Sequence, residues 1–358
     1  MDSERAPACL IAAGGTAGHV LPALAVAEAL NARGVHVTFA GSPERAEARL
    51  VPAAGYELDT FRISGFPRRP GLALARSLAR AAAAPIACTR ILARRRPDVV
   101  LGAGGYVAGP MVAAAAARRI PAALTEADAH LGLANRLAAP FAQRVFLSFP
   151  IEARRPPKYV VTGRPIPTRS RPVPRAQARL RFGLPRDAPV LLVFGGSLGS
   201  RALNELAVDA FGLVGPAVLH LAGERDYEAL RPRIRRDGYK LLAFTDEFGA
   251  ALAASDLALA RAGGSVWELA AAGLPAVLVP GLFATGGHQT KNARFFEQGG
   301  GVVCVPESDL GRAPDVVRSL LDDPRRLGGM REAMLRLARP RAAEDIAEQL
   351  IALAPRAD

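Results

Sequence analysis

The sequence predicts an α/β protein of two tandem domains, each a doubly wound parallel sheet covered by helices on both faces. Three observations carry that prediction. Short apolar runs alternate with helical patterns along the whole chain, which is the βαβ rhythm of a parallel sheet. A glycine-rich turn, Gly14-Gly15-Thr16-Ala17-Gly18, closes the first run, and a second, Gly195-Gly196-Ser197-Leu198-Gly199, closes the first run of the second half. Helical stretches carrying Leu24-Ala25-Val26 and Leu206-Ala207-Val208 follow the two turns at nearly the same offset, so the second half repeats the first.

Taken in order, the first half has strands expected at 9–13, 36–40, 57–63, 98–102, 122–125 and 145–148, with helices such as 21–33 and 72–95 between them. The second half has strands expected at 190–194, 217–221, 240–244, 257–259, 276–279 and 302–305. A Pro- and Arg-rich stretch, 164–174, interrupts the rhythm and reads as the linker. The first domain is therefore expected over 1–163 and the second over 164–340. The last two helical patterns, 325–338 and 342–353, are separated at Pro340. The segment 341–358, beyond that break, is expected to pack back on the first domain.

The 358 residues suffice for two cores. Half of them are apolar and 22% are charged, a globular and not a disordered balance. No apolar run reaches the roughly 18–20 residues that cross a bilayer. The opening residues, with Asp2 and Glu4, carry no export-signal pattern. Three scattered cysteines, Cys9, Cys88 and Cys304, suit neither a disulfide framework nor a metal site and point to a reducing cytoplasm. With no Asp-x-Asp and no ligand cluster at metal spacing, neither a metal nor a cofactor is expected. The formal charge of +13 attracts nucleic acid, anionic membrane or anionic substrate. Aromatic residues at 6% and the lack of any nucleic-acid-binding motif argue against the first of these.

A glycine-rich strand-to-helix turn lets backbone approach an anion, and the helix start offers free N–H groups. The first turn has the spacing Gly-Gly-x-x-Gly and lacks an acid directly after the second strand, so it is not the dinucleotide fingerprint. His19 follows that turn at the mouth of the sheet, where open α/β folds bind ligands; otherwise it caps the helix. The second turn adds the Ser197 hydroxyl. The third, Arg261-Ala262-Gly263-Gly264-Ser265, ends a strand and opens a helix, a setting that suits a diphosphate. Glu268, one turn further on, either accepts from sugar hydroxyls or forms a capping box with Ser265. His288-Gln289-Thr290-Lys291-Asn292 follows another Gly-rich loop and either reads sugar hydroxyls or is an ordinary polar helix start. Glu126-Ala127-Asp128 is a carboxylate pair or an Asp-led turn. The segment 66–96 mixes apolar residues with Arg68, Arg69, Arg76, Arg80, Arg90, Arg94, Arg95 and Arg96. It is either an apolar patch rimmed by arginine that holds an anionic membrane, or a core helix with a solvated basic face.

Together these motifs resemble the MurG family of glycosyltransferases over nearly the whole chain. Gly14-Gly15-Thr16-Ala17-Gly18-His19-Val20 with Pro22, Arg62-Ile63-Ser64-Gly65, Pro97-Asp98-Val99-Val100-Leu101-Gly102 and Gly104-Gly105-Tyr106-Val107 stand in the family's order. So do Gly195-Gly196-Ser197, Arg261-Ala262-Gly263, Glu268-Leu269-Ala270-Ala271-Ala272-Gly273, and His288-Gln289 with Asn292. The resemblance implies the GT-B fold: two Rossmann-like domains facing across a cleft, with UDP-GlcNAc held mainly by the second and the lipid acceptor by the first. It implies inverting transfer of N-acetylglucosamine to the muramyl C4 hydroxyl of undecaprenyl-pyrophosphoryl-MurNAc-pentapeptide (lipid I), giving lipid II for peptidoglycan. The expected place is the cytoplasmic face of the plasma membrane, as a peripheral protein on an anionic surface. His19 becomes the expected general base, with Glu126 behind it. Substrate contacts are expected from Thr16, Ala17, Gly18, Asp128, Arg164, Ser197, Thr245, Gly264, Ser265, Glu268, His288 and Gln289. The chain also departs from the family pattern. Thr125-Glu126-Ala127-Asp128 stands where the family has His-Glu-Gln-Asn, Gly163-Arg164-Pro165-Ile166-Pro167 where it has Gly-Asn-Pro-x-Arg, and Leu198 where it has Gln. The nearer alternative is another UDP-sugar enzyme of this fold, a glycolipid glycosyltransferase or a UDP-GlcNAc 2-epimerase. The alternative from another class is a basic nucleic-acid-binding protein.

Overall fold

The structure, a computed structural model, describes residues 6–63, 72–171, 173–196, 199–281 and 287–355, with backbone only for 72–82. The chain forms two compact units, Met1–Pro167 with Pro340–Asp358, and Thr168–Arg339.

The first unit is built on seven parallel strands: β1 (Ala8–Ala12), β2 (His36–Gly41), β3 (Leu58–Thr60), β4 (Val99–Gly102), β5 (Ala122–Glu126), β6 (Arg144–Leu147) and β7 (Tyr159–Val161). Their order is β3-β2-β1-β4-β5-β6-β7. The helices are α1 (Ala17–Asn31), α2 (Ala46–Ala53), α3 (Leu72–Arg95), α4 (Ala108–Ala117) and α5 (Leu133–Ala138). Strand alternation feeds two cores. Cys9, Ile11 and Ala13 face the α1 side, and Leu10 and Ala12 face the α3–α4 side. The last helix of the chain, Ala342–Leu353, belongs to this unit. Its Ala343, Ile346, Ala347 and Leu350 recur at helical spacing and fill the α1 core. Ile346 and Leu350 are fully buried and contribute roughly 1.5–3 kcal/mol each.

Three elements depart from the expectations. Strand β7 follows Pro156-Pro157 and is only three residues long. An edge strand with half-exposed side chains shows little periodicity, which is why it escapes a sequence reading. The strand expected at 57–63 pairs only over Leu58–Thr60, because it too lies at a sheet edge. Helix α1 starts at Ala17 and not near 21: the Thr16 carbonyl accepts from the N–H groups of His19 and Val20, so the glycine turn winds straight into the helix. The basic end of α3 is not simply solvated. Arg95 donates to Asp59 at 2.7 Å and to Glu57 at 2.6 Å, Arg94 also binds Asp59, and Asp59 is buried in β3. Residues 66–71, with Arg68 and Arg69, lie outside the described residues, as do the side chains of Arg76 and Arg80.

The second unit carries six parallel strands: β8 (Val190–Phe194), β9 (Ala217–Leu221), β10 (Tyr239–Leu242), β11 (Leu257–Ala260), β12 (Ala276–Leu278) and β13 (Val302–Cys304). They lie in the order β10-β9-β8-β11-β12-β13. Its helices are α6 (Arg175–Arg181), α7 (Arg201–Phe211), α8 (Glu224–Leu230), α9 (Phe248–Ala254), α10 (Val266–Ala271), α11 (His288–Gln298), α12 (Ala313–Leu321) and α13 (Pro324–Leu337). The two sheets are alike in one respect that matters for ligands. In each, the strand order reverses beside the first strand, between β1 and β4 and between β8 and β11. That reversal opens a crevice at the carboxyl ends of the strands.

Candidate active site

In the first unit the crevice is formed by the turn after β1 and the turn after β4. His19 stands in the first turn of α1, with Nδ1 3.5 Å from the Thr16 hydroxyl and a hydrogen bond to the Gly14 backbone. Its ring lies against Gly104, where an added Cβ would stand 2.5 Å from the imidazole. At Gly105 an added Cβ would collide with the Gly14 carbonyl. The glycines after β4 are therefore required by the close approach of the His19 turn. Burial is the larger cause that lowers the His19 pKa, and the Arg164 guanidinium is the next; Asp128 opposes them. Thr16 and Gly18 are exposed beside it, and Ala17 is half-buried.

Arg164, expected at the head of the second domain, belongs to the first unit and is buried there. It donates to the Gly18 carbonyl. The reason lies in α1: Pro22 has no N–H and cannot supply the helical bond to that carbonyl, so Arg164 supplies one in its place. A residue read as linker thus completes a helix turn and sets charge beside His19.

Glu126 sits at the end of β5 and is buried. Its carboxylate accepts from Asn135 Nδ2 at 2.9 Å, from the Gly132 N–H at 2.9 Å and from the Asp128 N–H at 3.2 Å. Burial pushes its carboxyl up, against the downward pull of these bonds. With its oxygens spent on the loop 127–132, Glu126 shapes the turn that carries Asp128 toward His19.

A residue that the motif reading overlooked holds the first turn. Glu47 of α2 is fully buried and accepts from the Gly15 N–H at 3.0 Å and the Ser42 N–H at 2.8 Å. An added Cβ on Gly14 or on Gly41 would stand 2.6 Å from the Glu47 side chain. The available signal was an acid five residues past Ser42, not immediately after the strand.

In the second unit the corresponding crevice lies between the turns after β8 and β11. Ser197 lies outside the described residues. In the β11 turn, Val266, Trp267 and Glu268 donate to the carbonyls of Gly263, Gly264 and Ser265 at 3.0–3.3 Å. The chain is already helical at Ser265, whose side chain makes no cap bond. The capping box is therefore not formed: an N-cap residue needs extended backbone, and Ser265 has none. Arg261, read as a diphosphate ligand, is committed elsewhere. It donates to Ser200 Oγ at 2.9 Å and to the Val279 carbonyl at 3.2 Å, and pairs with Glu307. Gln289 Oε1 accepts from the Gly281 N–H at 2.8 Å and so ties the end of β12 to the start of α11, which His288 opens. Trp267, Phe295 and Phe296 stack at 5.2–6.0 Å and lock α10 to α11. Gly264, Ser265 and Glu268 stand at the start of α10, and His288 and Gln289 at the start of α11. Thr245 follows the edge strand β10, and its hydroxyl accepts from the Glu247 N–H at 3.1 Å at the entry to α9.

Comparison with known proteins identifies the family. Residues 9–147 match the glycosyltransferase family 28 N-terminal domain and residues 190–350 its C-terminal domain. The chain is 41% identical to the UDP-N-acetylglucosamine--N-acetylmuramyl-(pentapeptide) pyrophosphoryl-undecaprenol N-acetylglucosamine transferase of Salinibacter ruber, over 99% of each chain. It is 42% identical to the protein of that name from Acidithiobacillus ferrooxidans, over 97% of this chain and 98% of the other. The crystal structure of Acinetobacter baumannii MurG superposes with a TM-score of 0.78 at 28% identity, covering 97% of this chain and all of that one. The chain is a GT-B glycosyltransferase and belongs to the MurG family of UDP-N-acetylglucosamine-dependent N-acetylglucosamine transferases.

Proposed function

We propose that this chain transfers N-acetylglucosamine from UDP-GlcNAc to the C4 hydroxyl of the muramyl residue of lipid I, with inversion, using His19 as general base. The observation that carries the proposal is the state of His19: an imidazole at the switch point of the first sheet, with a pKa lowered by burial and by Arg164. A base must be neutral to accept a proton, and a lowered pKa keeps it so at neutral pH. In the transfer, His19 takes the O4–H proton, O4 attacks the sugar C1, and the C1–O bond to UDP breaks. One displacement inverts C1 without a covalent sugar–enzyme intermediate.

The donor belongs to the second unit because the first turn spends its backbone on internal partners. The Gly15 N–H is already bonded to the Glu47 side chain and is not open to a phosphate. In the second unit, the helical start at Gly264 and Ser265 faces the leaving diphosphate with backbone N–H groups. Glu268 and Gln289 read the ribose and sugar hydroxyls, and His288 stands beside them. Thr16, Ala17 and Gly18 border the acceptor hydroxyl.

The acceptor is anchored in a bilayer. Among the described residues no helix is long and apolar enough to cross one. Leu133, Leu137 and Phe141 are 65%, 66% and 49% exposed at i, i+4 and i+8, along α5 and the turn that continues it. Such a stripe, with Arg136 exposed among it, supports peripheral attachment to an anionic cytoplasmic leaflet. The deciding experiment supplies labelled UDP-GlcNAc and a lipid I analogue to the wild-type protein and to His19→Ala. Transfer by the wild type, with at least hundredfold slower turnover but intact UDP affinity in the variant, is expected on the usual scale of general-base catalysis. No transfer by the wild type would refute the activity, and undiminished turnover in the variant would refute the base.

A further inference from the structure

A cavity of about 480 Å³ lies along β10, the edge strand of the second sheet. That volume is in the range of small-ligand sites, about 300–1,000 Å³. Every lining residue belongs to the second unit. Strand β10 forms the floor. The end of α6 brings Arg181 and Phe182, and α8 with the turn after it brings Tyr227 and Arg231. The cavity is two strands removed from the crevice at β8 and β11, roughly 10 Å at the usual strand spacing. None of the residues assigned to the transfer reaction lines it.

Its charge is one-sided. Arg181, Arg231 and Lys240 line it, and no carboxylate does. Arg181 pairs with Glu247. The other two have no ion pair or side-chain hydrogen bond among the described residues. Arg231 opens the basic run Arg231-Pro232-Arg233-Ile234-Arg235-Arg236. Within that run Arg233 is spent on Glu205 and Asp209, and Arg236 on the carbonyls of Phe211, Gly215 and Pro216. Lys240 reaches the opposite wall: a Cβ added to Gly183, just beyond α6, would stand 3.9 Å from its Nζ. The floor between the walls supplies a third donor. The N–H groups of Val218 and Ala222 in β9 draw on the carbonyls of Gly238 and Leu242. Alternate residues of a parallel strand face its partner, so the Leu241 N–H faces the open edge. Two cations on opposite walls with an N–H between them suit the oxygens of a phosphate. Phe182 and Tyr227 add ring surface, while the Tyr239 hydroxyl is spent on His220 Nδ1 at 2.7 Å. Cations on an edge strand also discourage pairing with another chain, but that role requires neither a cavity nor aromatic walls.

We propose that this cavity binds a phosphate monoester with an aromatic body, at a site separate from those of donor and acceptor. The experiment titrates 1-naphthyl phosphate into the full-length protein by calorimetry, with and without saturating UDP. The proposal does not depend on where UDP binds; UDP only fills its own site. One saturable site per chain is expected, equally tight in both titrations. Inorganic phosphate, 1-naphthol and 1-naphthoate should each bind at least about tenfold more weakly, since each lacks part of the pattern. Arg231→Gln and Lys240→Gln should each weaken 1-naphthyl phosphate about tenfold, the loss of one charge-assisted hydrogen bond. Phe182→Ala should weaken it about fivefold, the worth of one aromatic contact. Arg231 is exposed and Lys240 half-buried, so both glutamine variants should fold and melt as the wild type does and keep its affinity for UDP. Binding weakened by UDP would place the naphthyl phosphate in the donor site and overturn the proposal. So would the lack of saturable binding, naphthoate binding as tight as the phosphate, or affinity unmoved in the two glutamine variants.

Discussion

Replacing Glu47 with alanine tests whether the first turn is held by an internal carboxylate. The side chain is fully buried and accepts from two backbone N–H groups, those of Gly15 and Ser42. Each N–H left without a partner in a buried site costs about 1–3 kcal/mol, so the pair costs about 2–6 kcal/mol. The cost of burying the charge is recovered in the variant, which favours the lower half of that range. The sum is a large part of an ordinary stability of about 5–15 kcal/mol. Glu47→Gln keeps one acceptor oxygen and should lose about half as much. Urea unfolding followed separately in each unit is the right assay, because two units need not unfold in one step. The consequence for function is local. Gly14 bonds the His19 ring and abuts Glu47, so kcat should fall in both variants while UDP affinity stays put. A Glu47→Ala protein with less than about 1 kcal/mol of lost stability and unchanged kcat would show that the carboxylate does not hold the turn.

The pH–rate profile should respond in opposite directions to the two charges beside His19. Removing the cation in Arg164→Ala should move the acid limb to higher pH, and removing the anion in Asp128→Asn should move it to lower pH; limbs that stay fixed would exclude His19 as the titrating base. Glu268→Ala should weaken UDP-GlcNAc by about tenfold, the loss of one or two hydroxyl contacts, with calorimetry as the check and unchanged affinity as the refutation. Burial pushes the His220 pKa in the folded protein down to about 3, from the ordinary 6.5. The unfolded chain therefore takes up the extra proton first, and stability present above pH 6.5 should fall by up to about 1.4 kcal/mol per pH unit as pH drops toward 3; a folded His220→Gln protein should show a shallower acid slope in urea melts. Changing Leu133, Leu137 and Phe141 together to serine should reduce co-sedimentation with anionic vesicles and turnover on long-chain acceptor, while UDP affinity is retained; equal sedimentation would place the attachment elsewhere.

The doubly wound sheets were legible because buried parallel strands are short apolar runs, and 190–194, 217–221 and the helix 342–353 coincide with β8, β9 and the last helix. Edge strands β3 and β7 were blurred because half-exposed side chains carry no clear period. The glycine turns and His19 were legible as motifs, but what holds them was not. Glu47, Asn135, Asn204 and Asp226 act through hydrogen bonds to backbone or to other side chains distant in sequence. Such bonds depend on tertiary placement and leave no spacing in the sequence. Arg261 and Arg164 show the converse. Arg261 looked like a ligand for phosphate yet spends its donors on Ser200, Val279 and Glu307, and Arg164, expected to touch substrate, also serves the carbonyl that Pro22 cannot bond. An arginine near a glycine turn carries no information about which anion or carbonyl it will find.

The two glycine turns repeat as sequence and as strand–turn–helix, but opposite devices restrain them. In the first, glycine is demanded by a side chain: a Cβ on Gly14 would meet Glu47. In the second, it is demanded by backbone: a Cβ on Gly199 would collide with the Ala222 carbonyl. In the first turn the brace also takes up backbone, since the Glu47 side chain accepts from the Gly15 N–H. In the second the brace is a carbonyl held from outside, since the Asn204 amide donates to Ala222. The same glycine repeat is thus fixed by unlike tertiary contacts, and the glycine spacing alone distinguishes neither.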